Sequence, residues 1–165
     1  MRLKGLSIAS LLVILASTAR RVEAQTSPSV PTQTAAESRV RAVVEAHNAE
    51  RRAAGLRSLR VSAKLEAAAR AHALDMARRG TMSHTGGDGT SALDRIKRAG
   101  YRYRRAGENI ARGKFTTAKL MAGWMDSPPH RLNILGSYTE IGAAFATDDR
   151  GRAYWCIDFG LPRAP

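Results

Sequence analysis

The stretch Ile141-Gly142-Ala143-Ala144-Phe145-Ala146-Thr147-Asp148-Asp149-Arg150-Gly151-Arg152-Ala153-Tyr154-Trp155-Cys156-Ile157-Asp158-Phe159 decides the fold class. Ile141, Ala143 and Phe145 alternate up to the turn signal Asp148-Asp149-Arg150-Gly151. From Ala153 the chain answers with Trp155, Ile157 and Phe159 against Tyr154, Cys156 and Asp158. A period of two on both sides of a polar turn predicts an antiparallel hairpin.

Upstream of that stretch the period is helical. Thr34-Ala35-Ala36-Glu37 has the form of a capping box, and Val40, Val43, Val44 and His47 then share one face until Gly55. Ser62 is placed to cap a second helix, with Leu65, Ala68, Ala69, His72 and Met76 on one face and Gly80 at its end. A glycine-rich loop, Thr85 to Gly89, leads to a short helix from Ser91 through Lys97, closed by Gly100. A further helix spans about Thr116 to Asp126, with Leu120, Met121, Trp124 and Met125 facing inward, and Pro128-Pro129 break it. Helices first, a hairpin last and no βαβ alternation predict an α+β domain with helices packed on a small antiparallel sheet.

The first residues serve another purpose. Arg2 and Lys4 precede an uncharged run from Gly5 to Thr18 centred on Leu11-Leu12-Val13-Ile14-Leu15, and Val22-Glu23-Ala24 follow. These are the parts of a secretory signal peptide, with cleavage expected after Ala24 and Ala19 as the alternative. A membrane anchor needs about 20 apolar residues, more than this run supplies. Residues 25–34 are polar and proline-broken, a flexible linker. The expected division is signal peptide 1–24, linker 25–34 and one domain over 35–165, with no transmembrane segment after cleavage. The mature protein is expected to be secreted or periplasmic.

The chain of 165 residues carries a net charge of +13, from 27 basic and 14 acidic residues. Such a field favours anionic partners. The basic residues are mostly arginine spread along the chain, and only Tyr101-Arg102-Tyr103-Arg104-Arg105 interleaves aromatic rings with charge. Without stacking platforms or a zinc-finger or RNA-binding signature, nucleic acid is not an expected partner.

Candidate chemistry rests on the histidines. His47 and His72 fall on apolar helix faces and read as buried histidines with one hydrogen bond each. His84 stands on a loop edge before Thr85-Gly86-Gly87, His130 follows Ser127-Pro128-Pro129, and Glu108 sits in Gly107-Glu108-Asn109-Ile110. If these three met, two imidazoles and a carboxylate would make an open zinc-type site; their spacings alone do not bring them together. Ser83 beside His84, and Ser127 near Asp126 and His130, lack a nucleophile elbow, and sequence neighbours rarely have triad geometry. Cys156, the only cysteine, reads as a small buried residue, with an intermolecular bridge as the alternative.

Read in order, the motifs form one series: Ala46-His47-Asn48 with Arg51, Leu65 through Ala73, Met82-Ser83-His84 and Ala106-Gly107-Glu108-Asn109-Ile110-Ala111. They continue with Trp124 through Arg131, Asn133-Ile134-Leu135, Tyr138-Thr139-Glu140-Ile141-Gly142, and Tyr154-Trp155 through Phe159-Gly160. Over about residues 39–161 the chain resembles a bacterial member of the CAP superfamily, the SCP domain of cysteine-rich secretory, antigen 5 and pathogenesis-related 1 proteins.

The resemblance implies an α-β-α sandwich and a cleft lined in many members by two histidines and two glutamates, able in some to hold a divalent metal such as zinc. His84 and Glu108 match two of those positions. Ser127 stands where the second glutamate would be and Ser137 where the second histidine would be. His130, in the Ser-Pro-x-His-Arg stretch typical of bacterial members, is our candidate to stand in for a lost ligand. The expected metal set is therefore His84, Glu108 and His130, with Ser83, Asn109, Asp126, Ser127 and Ser137 as cleft neighbours. Helical geometry turns Asp126 about 100° from Ser127. The family's disulfides are absent.

Two functions follow as expectations. The first is an extracellular binding module for a lipid, glycan or protein at the cell envelope. The alternative is a metal-assisted hydrolase with a zinc-activated water. Hydrolysis also needs a general base, and the second cleft glutamate is missing, which favours the module.

Overall fold

The computed structural model describes residues 34–164. The expected signal peptide, and the expected linker before Thr34, lie outside the described residues. Five helices and four strands follow in the order α1 (Ala35–Ala53), β1 (Arg60–Val61), α2 (Ala63–Arg79), α3 (Ala92–Arg98), β2 (Tyr103–Gly113), α4 (Thr117–Asp126), α5 (Pro128–Ile134), β3 (Glu140–Thr147) and β4 (Ala153–Pro162).

Local sequence sets most of these ends. Thr34 and Glu37 complete the capping box of α1, and Ser91 with Asp94 forms a second one on α3. Gly80 ends α2 at φ 64, the left-handed conformation that a Cβ disfavours. Pro128 and Pro129 do more than end α4. They occupy the first two positions of α5, where a missing N–H loses no helical bond. His130 therefore stands in the first turn of a helix rather than in a turn between elements.

The sheet runs β1-β3-β4-β2. The expected hairpin is present, with Ala143 opposite Ile157 and Phe145 opposite Trp155. The sheet departs from the expectation in two ways. A two-residue strand, β1, adds a parallel pair, so the sheet is mixed rather than antiparallel throughout. The longest strand, β2, pairs antiparallel with β4 along its full length.

Register assigns the layers, because directly opposed residues share a face. Trp155, Ile157 and Phe159 face α1, α4 and α5, in one core with Val43, Leu120, Trp124 and Ile134. Tyr154 and Cys156 face α2, in a second core with Ala69, Ala73 and Met76. Leu65 and Ala68 of α2 close a third cluster with Ile96 of α3. The result is the expected α-β-α sandwich. Residues Ala153 to Gly160 of β4 are all buried, which is why that strand is apolar on both faces. Cys156 is fully buried, as a small core residue. No helix among the described residues is long and apolar enough to cross a membrane.

The α2 layer lies very close to the sheet at one point. A Cβ built on Gly142 would collide with the backbone of Leu65 and Glu66 at the start of α2. Neither backbone can rotate away, so Gly142→Ala is expected to destabilise the domain by about 2 kcal/mol in urea unfolding. An unchanged midpoint would mean that α2 can lift off β3 at little cost.

Candidate functional site

The site grows from β2, which lies at the sheet's edge and is open along one side. Successive residues of a strand face opposite layers. Glu108, opposite Asp158, turns toward α2 and α3; Asn109, opposite Ile157, turns toward α4 and α5. Two side chains from the two helical layers reach this margin, His84 from the α2–α3 loop and His130 from α5.

The loop carrying His84 is fixed from beneath. His72 Nε2 donates to the Ser83 carbonyl at 2.8 Å, Asp75 accepts from the Gly87 N–H at 3.0 Å, and Arg95 donates to the carbonyls of His84 and Thr90 at 3.1 and 2.8 Å. The Ser83 hydroxyl accepts from Thr85 N–H at 3.0 Å. His84, with its side chain 58% exposed, places Nδ1 2.7 Å from Glu108 Oε1. A carboxylate only accepts, so Nδ1 carries the proton and Nε2 is the free nitrogen.

Glu108 is buried, and its second oxygen is also taken. Arg95 donates to Oε2 at 2.6 Å, and the Cys156 thiol approaches the same oxygen at 3.3 Å. Burial would raise the Glu108 carboxyl, but the His84 hydrogen bond and the Arg95 charge outweigh it and hold the group below its ordinary value.

On the other side of β2, His130 Nδ1 is 2.9 Å from Ser127 Oγ, leaving Nε2 free. The Asn109 amide donates to the His130 carbonyl at 3.0 Å, and the Asn133 amide donates to Asn109 Oδ1 at 2.9 Å and to the Glu108 carbonyl at 3.1 Å. This amide ladder ties α5 to β2. His130 is pushed below its ordinary value by burial and then by the charge of His84, so the two imidazoles are electrostatic neighbours. Asp126 and Ser137 lie elsewhere. They line a separate hollow with Arg105 and Arg131, which includes none of His84, Glu108 and His130.

Among the described residues, one set of three His, Cys, Asp or Glu side chains gathers its ligand atoms within 4.8 Å: Glu108, Cys156 and Asp158. Its chemistry does not suit a cation. Burial raises Asp158 far above its usual range, with the Glu108 charge adding to it, and Cys156 is raised by burial and both carboxylates. Burial thus favours the protonated form of both, and Arg95 already supplies the positive charge beside Glu108. Sequence reasoning passed over Arg95 and the polar role of Asp158. The one signal for the latter was a carboxylate in an otherwise apolar strand.

Fold and side-chain geometry together define an α-β-α sandwich domain with His84 hydrogen-bonded to the edge strand's Glu108 and His130 tied to its Asn109. The family model described as "CAP: Cysteine-rich secretory protein family" matches residues 44–159, and the chain belongs to that family. A Bacillus subtilis relative, the uncharacterized protein YkwD, is 39% identical over 104 residues, covering 62% of this chain and 40% of its own length. The chain thus spans less than half of that relative. An outer surface protein from Borrelia burgdorferi superposes with a TM-score of 0.73 at 18% identity, covering 81% of this chain and 100% of its own. An extracellular SCP-domain protein from Bacillus anthracis does so with a TM-score of 0.67 at 22% identity, covering 79% of this chain and 45% of its own.

Proposed function

We propose that the chain is an extracellular binding module that engages a cell-envelope ligand (a lipid, a glycan or a protein) through the cleft between His84 and His130. One observation carries this reading over hydrolysis. Both oxygens of Glu108, the cleft's buried carboxylate, are committed to nitrogen donors, at 2.7 Å from His84 and 2.6 Å from Arg95. A carboxylate held ionised by two such partners is a poor proton acceptor, so Glu108 serves to orient His84 rather than as a general base. Action outside the cytoplasm is in keeping with the leader-like first 24 residues and with relatives described as extracellular and outer-surface proteins.

By ligand type His84 and His130 suit a divalent metal such as zinc, with water completing the shell, although among the described residues the expected set of His84, Glu108 and His130 does not gather its ligand atoms within 4.8 Å. Each imidazole has one nitrogen fixed by a partner, Glu108 for His84 and Ser127 for His130, which leaves Nε2 as the free nitrogen. His84 and His130 would hold the ion, with Glu108 acting through His84. A bound ion would supply a positive anchoring point for an oxygen of the ligand. Without it, the same two nitrogens remain as hydrogen-bonding groups.

Co-sedimentation of the purified protein with isolated bacterial envelope material, with and without chelator, tests the module. Binding should persist in chelator and fall at least tenfold in the His84→Ala, His130→Ala double variant. Loss of all binding in chelator would overturn this reading. So would stoichiometric zinc accompanied by substrate turnover that His130→Ala abolishes.

A further inference from the structure

Where α3 ends and β2 begins, the surface has an open hollow of about 300 Å³ lined by Lys97, Gly100, Tyr101, Arg102, Tyr103 and Arg163. Its lining contains none of His84, Glu108 and His130. Tyr103 stands five residues before Glu108 on β2, about 15 Å along the strand. Three of the six lining residues are cations and none is an acid. Lys97, Arg102 and Arg163 are all exposed.

The backbone holds these charges together. Gly100, at φ 77, turns the chain out of α3, and the N–H groups of Gly100 and Tyr101 donate to the carbonyls of Lys97 and Ile96 at 2.9 and 3.1 Å. Those carbonyls of the helix end are thus taken by the chain itself. Beyond the pairing of Tyr103 with Pro162, the Arg163 N–H donates to the Arg102 carbonyl at 2.9 Å. Two arginines therefore stand on neighbouring strand ends, and Lys97 Nζ lies 5.9 Å from the centre of the Tyr103 ring.

These charges lack carboxylate partners. No ion pair among the described residues includes Lys97, Arg102 or Arg163. Asp94, one turn before Lys97, takes the Ser91 N–H and hydroxyl at 3.0 and 2.6 Å. Glu140 takes the Tyr101 hydroxyl and Arg60 at 2.8 Å each, and Asp88 takes Arg98 at 2.9 Å. Like charges held side by side repel. The rings do not serve bases: Tyr101 is 4% exposed, and Tyr103 is half-buried with Lys97 over its face. The basic-aromatic run from Tyr101 to Arg105 therefore presents charge rather than stacking platforms.

We propose that this hollow is a second binding site, for a phosphate monoester carried by a sugar or a lipid headgroup. Such a group bears about −1.5 to −2 charge at pH 7 and presents three strong acceptor oxygens. It can answer three cations at once, and the two arginine forks suit phosphate geometry. A carboxylate or a phosphodiester brings a single negative charge and leaves more of the repulsion in place.

The test titrates the purified protein with glucose 6-phosphate, dimethyl phosphate and acetate, followed by nitrogen-15 NMR of the backbone and of the basic side chains. Saturable shifts centred on Gly100, Arg102 and Arg163 are expected with glucose 6-phosphate, which should bind about fivefold more tightly than either monoanion. Arg102→Ala combined with Arg163→Ala should weaken the sugar phosphate about tenfold. Arg41→Ala combined with Arg78→Ala removes the same charge from exposed positions elsewhere and should stay within about twofold of the parent. Sedimentation with vesicles containing phosphatidic acid separates the two carriers. Retention that glucose 6-phosphate displaces assigns a lipid headgroup, and sugar-phosphate binding without retention assigns a soluble ester. Absence of saturable binding, equal affinity for the three anions, or equal losses in the two arginine double variants would overturn the proposal. The His84→Ala, His130→Ala double variant should bind glucose 6-phosphate as the parent does, so failure here is distinguishable from failure at the cleft.

Discussion

Replacing Arg51 by alanine is expected to destabilise the domain by about 4 kcal/mol. Arg51 lies in the last turn of α1 and is 3% exposed, yet it faces no carboxylate. Its guanidinium donates to four backbone carbonyls: Arg57 at 2.9 Å, Ile134 and Gly136 at 2.8 Å each, and Tyr138 at 3.1 Å. Three of these, the last residue of α5 and two in its connection to β3, lie more than 80 positions along the chain. The fork thus fastens the end of α1 to the segment that feeds the central hairpin. Alanine would leave the carbonyls of the buried Ile134 and Tyr138 without this donor where water has little access, and each hydrogen bond to a charged group is worth about 1.5–3 kcal/mol, though not additively. Lysine offers one ammonium in place of a planar fork and should recover less than half of the loss. Urea unfolding of the two variants measures both effects. A loss under about 1 kcal/mol for alanine would show that the connection holds its shape without the fork.

The second large effect is on acid stability. His47 is fully buried, 5.4 Å from Trp124 and 5.7 Å from Phe159 between ring centroids. Nδ1 donates to the Val43 carbonyl at 2.8 Å, and Nε2 has no partner. Burial drives its pKa down to about 4 from 6.5. Above the unfolded value both states are neutral and nothing is lost. As pH falls from 6.5 toward 4 the unfolded chain binds a proton that the folded chain refuses, so stability declines. The difference amounts to about 3 kcal/mol at the lower limit. Burial lowers His72 in the same direction. Denaturant unfolding as a function of pH should show this decline. In His47→Gln, which keeps a donor for Val43, most of the decline between 6.5 and 4 should disappear. A slope identical to that of the parent would assign the acid sensitivity to other groups.

The elements that the sequence displayed openly are those whose ends and faces are local. The Thr34 and Ser91 capping boxes, Gly80 and the Ile141–Phe159 alternation each depend on residues within a few positions of one another. β2 was hidden because its pattern is that of an edge strand. Arg104, Arg105 and Arg112 keep its margin in water, and Glu108 and Asn109 are buried through hydrogen bonds rather than through apolar contact. Pro128 and Pro129 read as a stop, and their tolerance at a helix start became visible only with α5 in place. At the cleft, residue types were legible and partnerships were not. His84 and Glu108 are 24 positions apart, and no spacing rule foretells a 2.7 Å contact across two elements. Arg95, on a short helix of ordinary polar composition, gave no sign that it would be the counter-charge of Glu108.

The position of β4 in the sheet has a consequence for how the domain comes into being. It lies between β3 and β2, and among the described residues it is the last element in chain order. A chain that emerges amino end first, from a ribosome or through a translocation pore, presents every helix and β2 before the strand that joins the layers exists. Until Ala153–Pro162 arrives, β2 has no partner, neither apolar face of β4 is there to receive a helix, and the two halves of the cleft have no common support. The two helical layers are therefore expected to close on a common sheet only once β4 has emerged.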